Sequence, residues 1–224
     1  MNISTTMLWF GCAGALSLSA CALTSRSEAI RVRYFTLEGA AAPQPTSQPQ
    51  RALELRLGRV EASDYLSEEI AFRNTRHELE YYEEQRWTEK PQEYLRRALM
   101  RALFQERGVT RSFSGIAPTL DVELVEFEEL RGPQPKVRLQ AIAILHDERR
   151  SHFEETFVVE RPIAGVAGPL AGQPDHTEAT ASALADALQA AVERLTDRVI
   201  ASLASESSVT STSTSTSRSA SASP

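Results

Sequence analysis

Apolar and polar positions alternate along much of this chain, and the alternation marks its strands. Residues 30–37 (Ile-Arg-Val-Arg-Tyr-Phe-Thr-Leu) predict a first strand. Pro43, Pro45 and Pro49 predict a loop over 40–51. Residues 52–61 predict a second strand with Leu53, Leu55 and Leu57 on one face. Its phase slips between Gly58 and Val60, as at a β-bulge. A hairpin follows: Ile70 and Phe72 go out, Asn74 to Arg76 turn, and Leu79 and Tyr81 return.

The period then changes. Tyr94, Leu95, Ala98, Leu99, Ala102 and Leu103 recur at three-and-four spacing, which predicts a helix from Pro91 to Arg107. Proline suits its first turn and Gly108 suits the position past its end. Arg96, Arg97 and Arg101 take the other face. Strands near 119–129, 136–147 and 152–160 are joined by short turns and read as an antiparallel meander. Ala141 to Leu145 is apolar at every position, which predicts a central strand covered on both sides. A Gly- and Pro-rich loop (Pro162 to Pro174) leads to a last helix, Thr177 to Leu203. Asp175 and Glu178 are its capping pair, and Leu184, Leu188, Val192, Leu195 and Val199 its buried stripe. Strands, helix, strands, helix give an α/β (α+β) sandwich with a mixed, largely antiparallel sheet and both amphipathic helices packed on it.

Both ends differ from this domain. Met7 to Ala20 carries no charge, and its span of about 14 residues is too short for a membrane helix. It ends in Leu18-Ser19-Ala20-Cys21, which resembles a bacterial lipobox. Residues 1–20 are then a signal peptide, with Cys21 the lipid-bearing first residue of the mature protein. Residues 1–6 lack the usual Lys or Arg. The alternative is an ordinary secretory signal with Cys21 a bystander. Cys12 falls in the removed segment, so Cys21 has no partner for an intrachain disulfide. Residues 21–29 form a tether, and from Cys21 to Arg31 it spans at most ~35 Å. Residues 205–224 are nearly all Ser, Thr and Ala and are expected to be a disordered tail. The domain between occupies 30–204.

Charge and chemistry narrow the function. A formal net charge of −6 and a pI near 5.4 argue against nucleic-acid binding and against a polybasic membrane surface. His146 and His152 flank one turn, but two imidazoles make a poor metal site. The acidic runs Glu78, Glu80, Glu83, Glu84 and Glu126, Glu128, Glu129 read as solvated strand faces. Gly165, Gly168 and Gly172 lie in the Pro-rich loop and are a weak anion signal. No Gly-rich phosphate loop follows a strand and no nucleophile elbow occurs. Tyr81, Tyr82 and Trp87 concentrate aromatic surface, either as a core edge against the helix or as an anchor for a partner. Trp87 and Tyr65 are the two residues to test as partner-binding anchors.

Together these segments resemble the ABC-type transport auxiliary lipoproteins, the family of the paraquat-inducible operon lipoprotein. The carrying motifs are the lipobox, Tyr34-Phe35-Thr36-Leu37, Tyr65-Leu66, Ile70 to Arg73, and Arg86-Trp87 ahead of the helix. Ser63-Asp64 departs from the family, which often has proline there. The resemblance implies a fold similar to the N-terminal domain of the Tol-system periplasmic protein. It also implies a role without a reaction or cofactor. The expected protein is a periplasmic subunit on the outer membrane, anchored by diacylglycerol and N-acyl chains on Cys21. It would assist a mammalian-cell-entry-type periplasmic protein with its ABC permease and ATPase, moving lipids or other hydrophobic molecules. Self-association into a ring stays open. The alternative is an outer-membrane lipoprotein that activates peptidoglycan synthesis or assists envelope assembly, for which the tether is short.

Overall fold

A computed structural model of the chain describes residues 31–37, 53–164 and 174–216. Cys21, the Pro43–Pro49 loop and Gly165, Gly168 and Gly172 lie outside the described residues, as do residues 217–224. Eight strands make one sheet: β1 (Arg33–Phe35), β2 (Glu54–Ala62), β3 (Glu69–Thr75), β4 (Glu78–Trp87), β5 (Thr110–Arg111), β6 (Thr119–Leu130), β7 (Lys136–His146) and β8 (Ser151–Pro162). Helix α1 (Pro91–Met100) runs on into a wider π turn over Arg101–Glu106, and α2 spans Pro174–Thr216. The expected α/β sandwich is what forms.

Strand β6 organises the sheet. One edge pairs antiparallel with β7 over its whole length, and β7 pairs likewise with β8. The other edge takes two strands end to end, both parallel to it. Strand β2 pairs with Thr119–Leu124 and β3 with Glu128–Leu130. Outside these lie β5 beside β2, β4 beside β3, and β1 beside β4. The long ladders are antiparallel, and the parallel pairings are short.

The break between β2 and β3 faces a bulge in β6, where the β7 register slips between Leu124 and Glu126. One extra residue inverts the alternation. Before it, Leu120, Val122 and Leu124 are buried; after it, Phe127 and Glu129 are. Strand β7 keeps strict phase, burying Val137, Leu139, Ala141, Ala143 and Leu145.

The helices cover this face. Helix α1 buries Tyr94, Leu95 and Leu99, and the π turn buries Ala102 and Leu103. The wider turn is closed by Arg107 N–H donating to Ala102 O at 3.1 Å, and Gly108 ends it at φ 66°. Glycine meets no steric penalty there. The expected stripe of α2, from Leu184 to Val199, is buried as one line and continues to Leu203.

Four expectations need correction. Strand β7 is central but covered on one face only: Ile142 and Ile144 are half-exposed, so apolar character there reflects β-propensity rather than a second layer. The β3–β4 turn is Arg76-His77, because Thr75 pairs with Glu78. Helix α2 passes Leu203 into the tract expected to be disordered; no Gly or Pro interrupts the chain from Asp175 to Thr216. Finally, Glu128 and Glu129 are buried, at 1% and 0% exposure, rather than solvated. The run Glu78, Glu80, Glu83, Glu84 is exposed as expected.

The predicted slip at Gly58 is real, with the β2–β6 register shifting between Leu57 and Val60. A Cβ at Gly58 would lie 2.2 Å from Asp121 Oδ1 and 2.7 Å from Thr119 Cγ2. That carboxylate is not free to move. Its Oδ1 accepts the Arg59 N–H at 2.7 Å, and its Oδ2 lies 3.1 Å from His146 Nε2. Gly58→Ala is therefore expected to destabilise the domain by about 1–3 kcal/mol in urea unfolding. An unchanged midpoint would show that β2 and β6 do not approach this closely.

Candidate functional site: a buried acid pair on one strand

Because Glu128 and Glu129 are adjacent on β6, they point to opposite faces of the sheet. Each meets its own set of partners. On the face without helices, Glu128 Oε1 forms a close ion pair with Arg73 Nε from β3. Tyr65, in the break between β2 and β3, lies half-buried beside them. Its hydroxyl donates to Val125 O at 2.8 Å and sits 3.3 Å from Glu128 Oε2. Ser63 Oγ donates to the same carbonyl at 3.2 Å, and Ser63 N–H to Leu124 O at 3.0 Å. The bulge frees that carbonyl from the ladder, and these side chains satisfy it. Tyr81 Oη donates in turn to Tyr65 O at 3.0 Å. The charge pattern continues across the sheet: Arg138 bonds Glu126 at 2.9 Å, and Lys136 bonds Glu160 at 2.7 Å. A shallow groove of about 430 Å³ runs over this corner, lined by Arg73, Arg76, Glu126, Glu128, Arg131 and Arg138.

On the helix side, Glu129 joins three elements. Tyr82 of β4 donates its hydroxyl to Oε2 at 2.5 Å. His176, in the first turn of α2, bonds Oε1 at 2.8 Å, and Thr180 Oγ1 lies 3.4 Å from Oε2. Arg131 Nε is 3.5 Å from Oε1, and its guanidinium stacks on Phe72 and Tyr82. A histidine beside a carboxylate is an acid–base pair in composition. This one is closed: His176 is 5% exposed and Glu129 0%, so substrate has no approach. It is a latch between sheet and helix.

Both tyrosine hydroxyls are pushed well above their ordinary pKa. Burial is the main cause for each, followed by the charge of Glu128 on Tyr65 and of Glu129 on Tyr82. Asp147, at the β7–β8 turn, is held below its usual range by the Arg149 and Arg150 N–H groups.

Of the residues singled out in the sequence, Cys21 is outside the described residues. Tyr65 is a half-buried clamp on the bulge, with part of its ring accessible. Trp87 needs correction as a partner anchor. It is 1% exposed, packed against Phe127 at 5.7 Å and Tyr94 at 6.4 Å, so it presents no surface. The alternative reading, a core aromatic under the helix, holds. The family motifs do converge: β1 pairs Tyr34 with Arg86 and Phe35 with Trp87, and Leu37 is buried just beyond. Arg73 closes the remaining motif onto Glu128. His146 and His152 turn to separate aspartates, Asp121 and Asp147. Among the described residues no cluster suits a metal ion, and no helix is long and apolar enough to cross a membrane.

Arg73→Ala leaves the Glu128 charge buried without its main partner and is expected to cost about 3 kcal/mol by denaturant unfolding. Arg73→Leu with Glu128→Leu is expected to recover most of that loss; equal loss in both variants would mean that packing, not charge, dominates. A second expectation concerns alkaline pH. A phenol whose pKa is raised by folding stabilises the fold fully below its unfolded value, about 10, and that contribution is lost as pH climbs through the folded value. Ultraviolet titration should therefore find Tyr65 and Tyr82 the last of the five tyrosines to ionise, together with loss of structure. Early ionisation of all five would contradict the burial of these two.

No curated protein matches the chain. Among solved structures, a Xanthomonas campestris protein of the family DUF330 superposes with TM-score 0.66 at 21% identity, covering 79% of this chain and 99% of its own. An uncharacterised protein superposes with TM-score 0.56 at 14% identity, covering 75% of this chain and 99% of its own. Both share the fold. The family described as ABC-type transport auxiliary lipoprotein component matches residues 35–200, which takes in the β6 bulge, the acid pair, α1 and most of α2. The chain belongs to the ABC-type transport auxiliary lipoprotein family.

Proposed function

We propose that this protein is a non-catalytic, lipid-anchored accessory subunit of an envelope transporter, held at the periplasmic face of the outer membrane through acyl chains on Cys21. The family match over 35–200 is the observation that carries this reading. The partner we assign is a mammalian-cell-entry-type periplasmic protein with its ABC permease and ATPase, and the cargo is lipid or another hydrophobic molecule. The charged side chains around Glu128 and Glu129 are spent on one another, which supports work by contact rather than by chemistry. The docking element we assign is the free edge of β8. Among the described residues β8 pairs only with β7, and it is one of the longest strands. An unpaired edge offers backbone groups to a partner strand. Glu154, Glu155 and Glu160 keep that edge selective, because a partner must complement their charge.

Pull-down of the full chain from detergent-solubilised envelope is expected to recover the mammalian-cell-entry-type protein, and Cys21→Ser is expected to abolish fractionation with the outer membrane. Recovery of no such protein sinks the partner, and unchanged fractionation of Cys21→Ser sinks the anchor.

A further inference from the structure

The seven residues between β5 and β6, Ser112 to Pro118, hold the two most exposed large apolar side chains among the described residues. Phe113 is 81% exposed and Ile116 82%. Scattered exposed apolar residues need no explanation, but two on one loop tip do. The loop is not loose. Ser112 N–H donates to Leu55 O at 2.9 Å, Pro118 O accepts from Arg56 N–H at 2.8 Å, and Ala117 is buried at the base. Ser114 N–H bonds Ser112 Oγ and Ile116 N–H bonds Ser114 Oγ, each at 3.3 Å. Two of the loop's N–H groups are thus satisfied within it, while the two apolar side chains are exposed. That arrangement suits a boundary where water is scarce, since exposed N–H groups there are costly.

Arginines stand beside the loop on an acidic protein, with the Glu148 and Asp147 carboxylates among them. Arg111 lies over the Phe113 ring at 4.9 Å. A methyl group at Gly115 would lie 3.7 Å from Glu148 Oε1, which sets the β7–β8 turn, with exposed Arg149 and Arg150, beside the loop. Asp147 of that turn is spent on the N–H groups of Arg149 and Arg150. Aromatic and aliphatic side chains next to arginine match the interfacial layer of an anionic bilayer. A second copy of the chain fits less well. Two side chains of roughly 200 Å² each fall far below the ~800 Å² per partner that a stable protein interface buries.

We propose that the Phe113–Ile116 loop inserts into the headgroup layer of an anionic phospholipid bilayer. The proposal rests on the anchored reading for its local bilayer concentration: a tether of at most ~35 Å makes a weak contact effectively intramolecular. The loop would then fix the orientation of the domain on the membrane, which an anchor at a single point does not set.

The full chain carrying Phe113→Trp, or independently Ile116→Trp, is reconstituted into phosphatidylglycerol-containing vesicles with brominated acyl chains. Buried Trp87 serves as the internal reference. Emission from the new tryptophan is expected to fall about twofold or more, as for a side chain at the headgroup–acyl boundary. His77→Trp, at the turn on the opposite end of the sheet, is expected to be unaffected. Flotation with the vesicles reads the anchor separately. A chain that floats without quenching at 113 or 116 overturns the loop and leaves the anchor standing. Quenching that persists in a Cys21→Ser background supports the loop even where the anchor fails. A concentration-dependent blue shift without quenching overturns it in favour of a second copy.

Discussion

The backbone carbonyl of Val125, set free by one extra residue in β6, is the constraint on which this arrangement turns. A buried carbonyl without a partner costs more than one hydrogen bond contributes. Here Tyr65 and Ser63 supply the donors, and they can do so only from a segment that has left the ladder. The bulge lies opposite the break between β2 and β3 on the neighbouring edge. It also sets the phase of everything downstream on β6. Phe127 enters the core beneath Trp87 because of it, and Glu129 is carried inward to meet α2.

Two ionised side chains buried on consecutive residues would ordinarily be a liability, since desolvation offsets most of what pairing returns. The sheet divides the problem. Glu128 is met from its own layer, by Arg73 and Tyr65, and Glu129 from across layers, by Tyr82, His176 and Arg131. The Glu129 set is closed to solvent, while the Glu128 set borders the shallow groove on the open face. The contacts proposed for this domain lie at its rims: the free strand at one side and the apolar loop at one end.

Much of this was legible in the sequence where periodicity was clean. The Leu184 to Val199 stripe, the Pro91 helix with its closing glycine, the meander and the slip at Gly58 all follow from spacing and turn chemistry. The parallel pairings were not legible, because alternation reports a strand but not its neighbours. The bulge at Val125 was hidden for a related reason. Apolar positions run 120, 122, 124 and then 125, 127, a change of phase marked only by two adjacent apolar residues, and Glu128 and Glu129 looked like part of a wetted stripe. Trp87 shows the limit for the site. Its composition suits a binding hot spot and a core equally, and its burial against Phe127 and Tyr94 decides between them. The anchor proposed at Cys21 rests on sequence: the uncharged stretch, the lipobox spacing and the unpaired cysteine.

The latch at Glu129 has a bearing on the order in which the domain assembles. Tyr82 and His176 stand 47 residues to either side of it, so neither is a local neighbour. Until β4 has paired with β3 and α2 has docked, the carboxylate is better off in water, and β6 has a reason not to bury its C-terminal half. Burial at the end of β6 thus depends on the docking of α2, and a chain cut before α2 leaves the Glu129 carboxylate without His176 and Thr180.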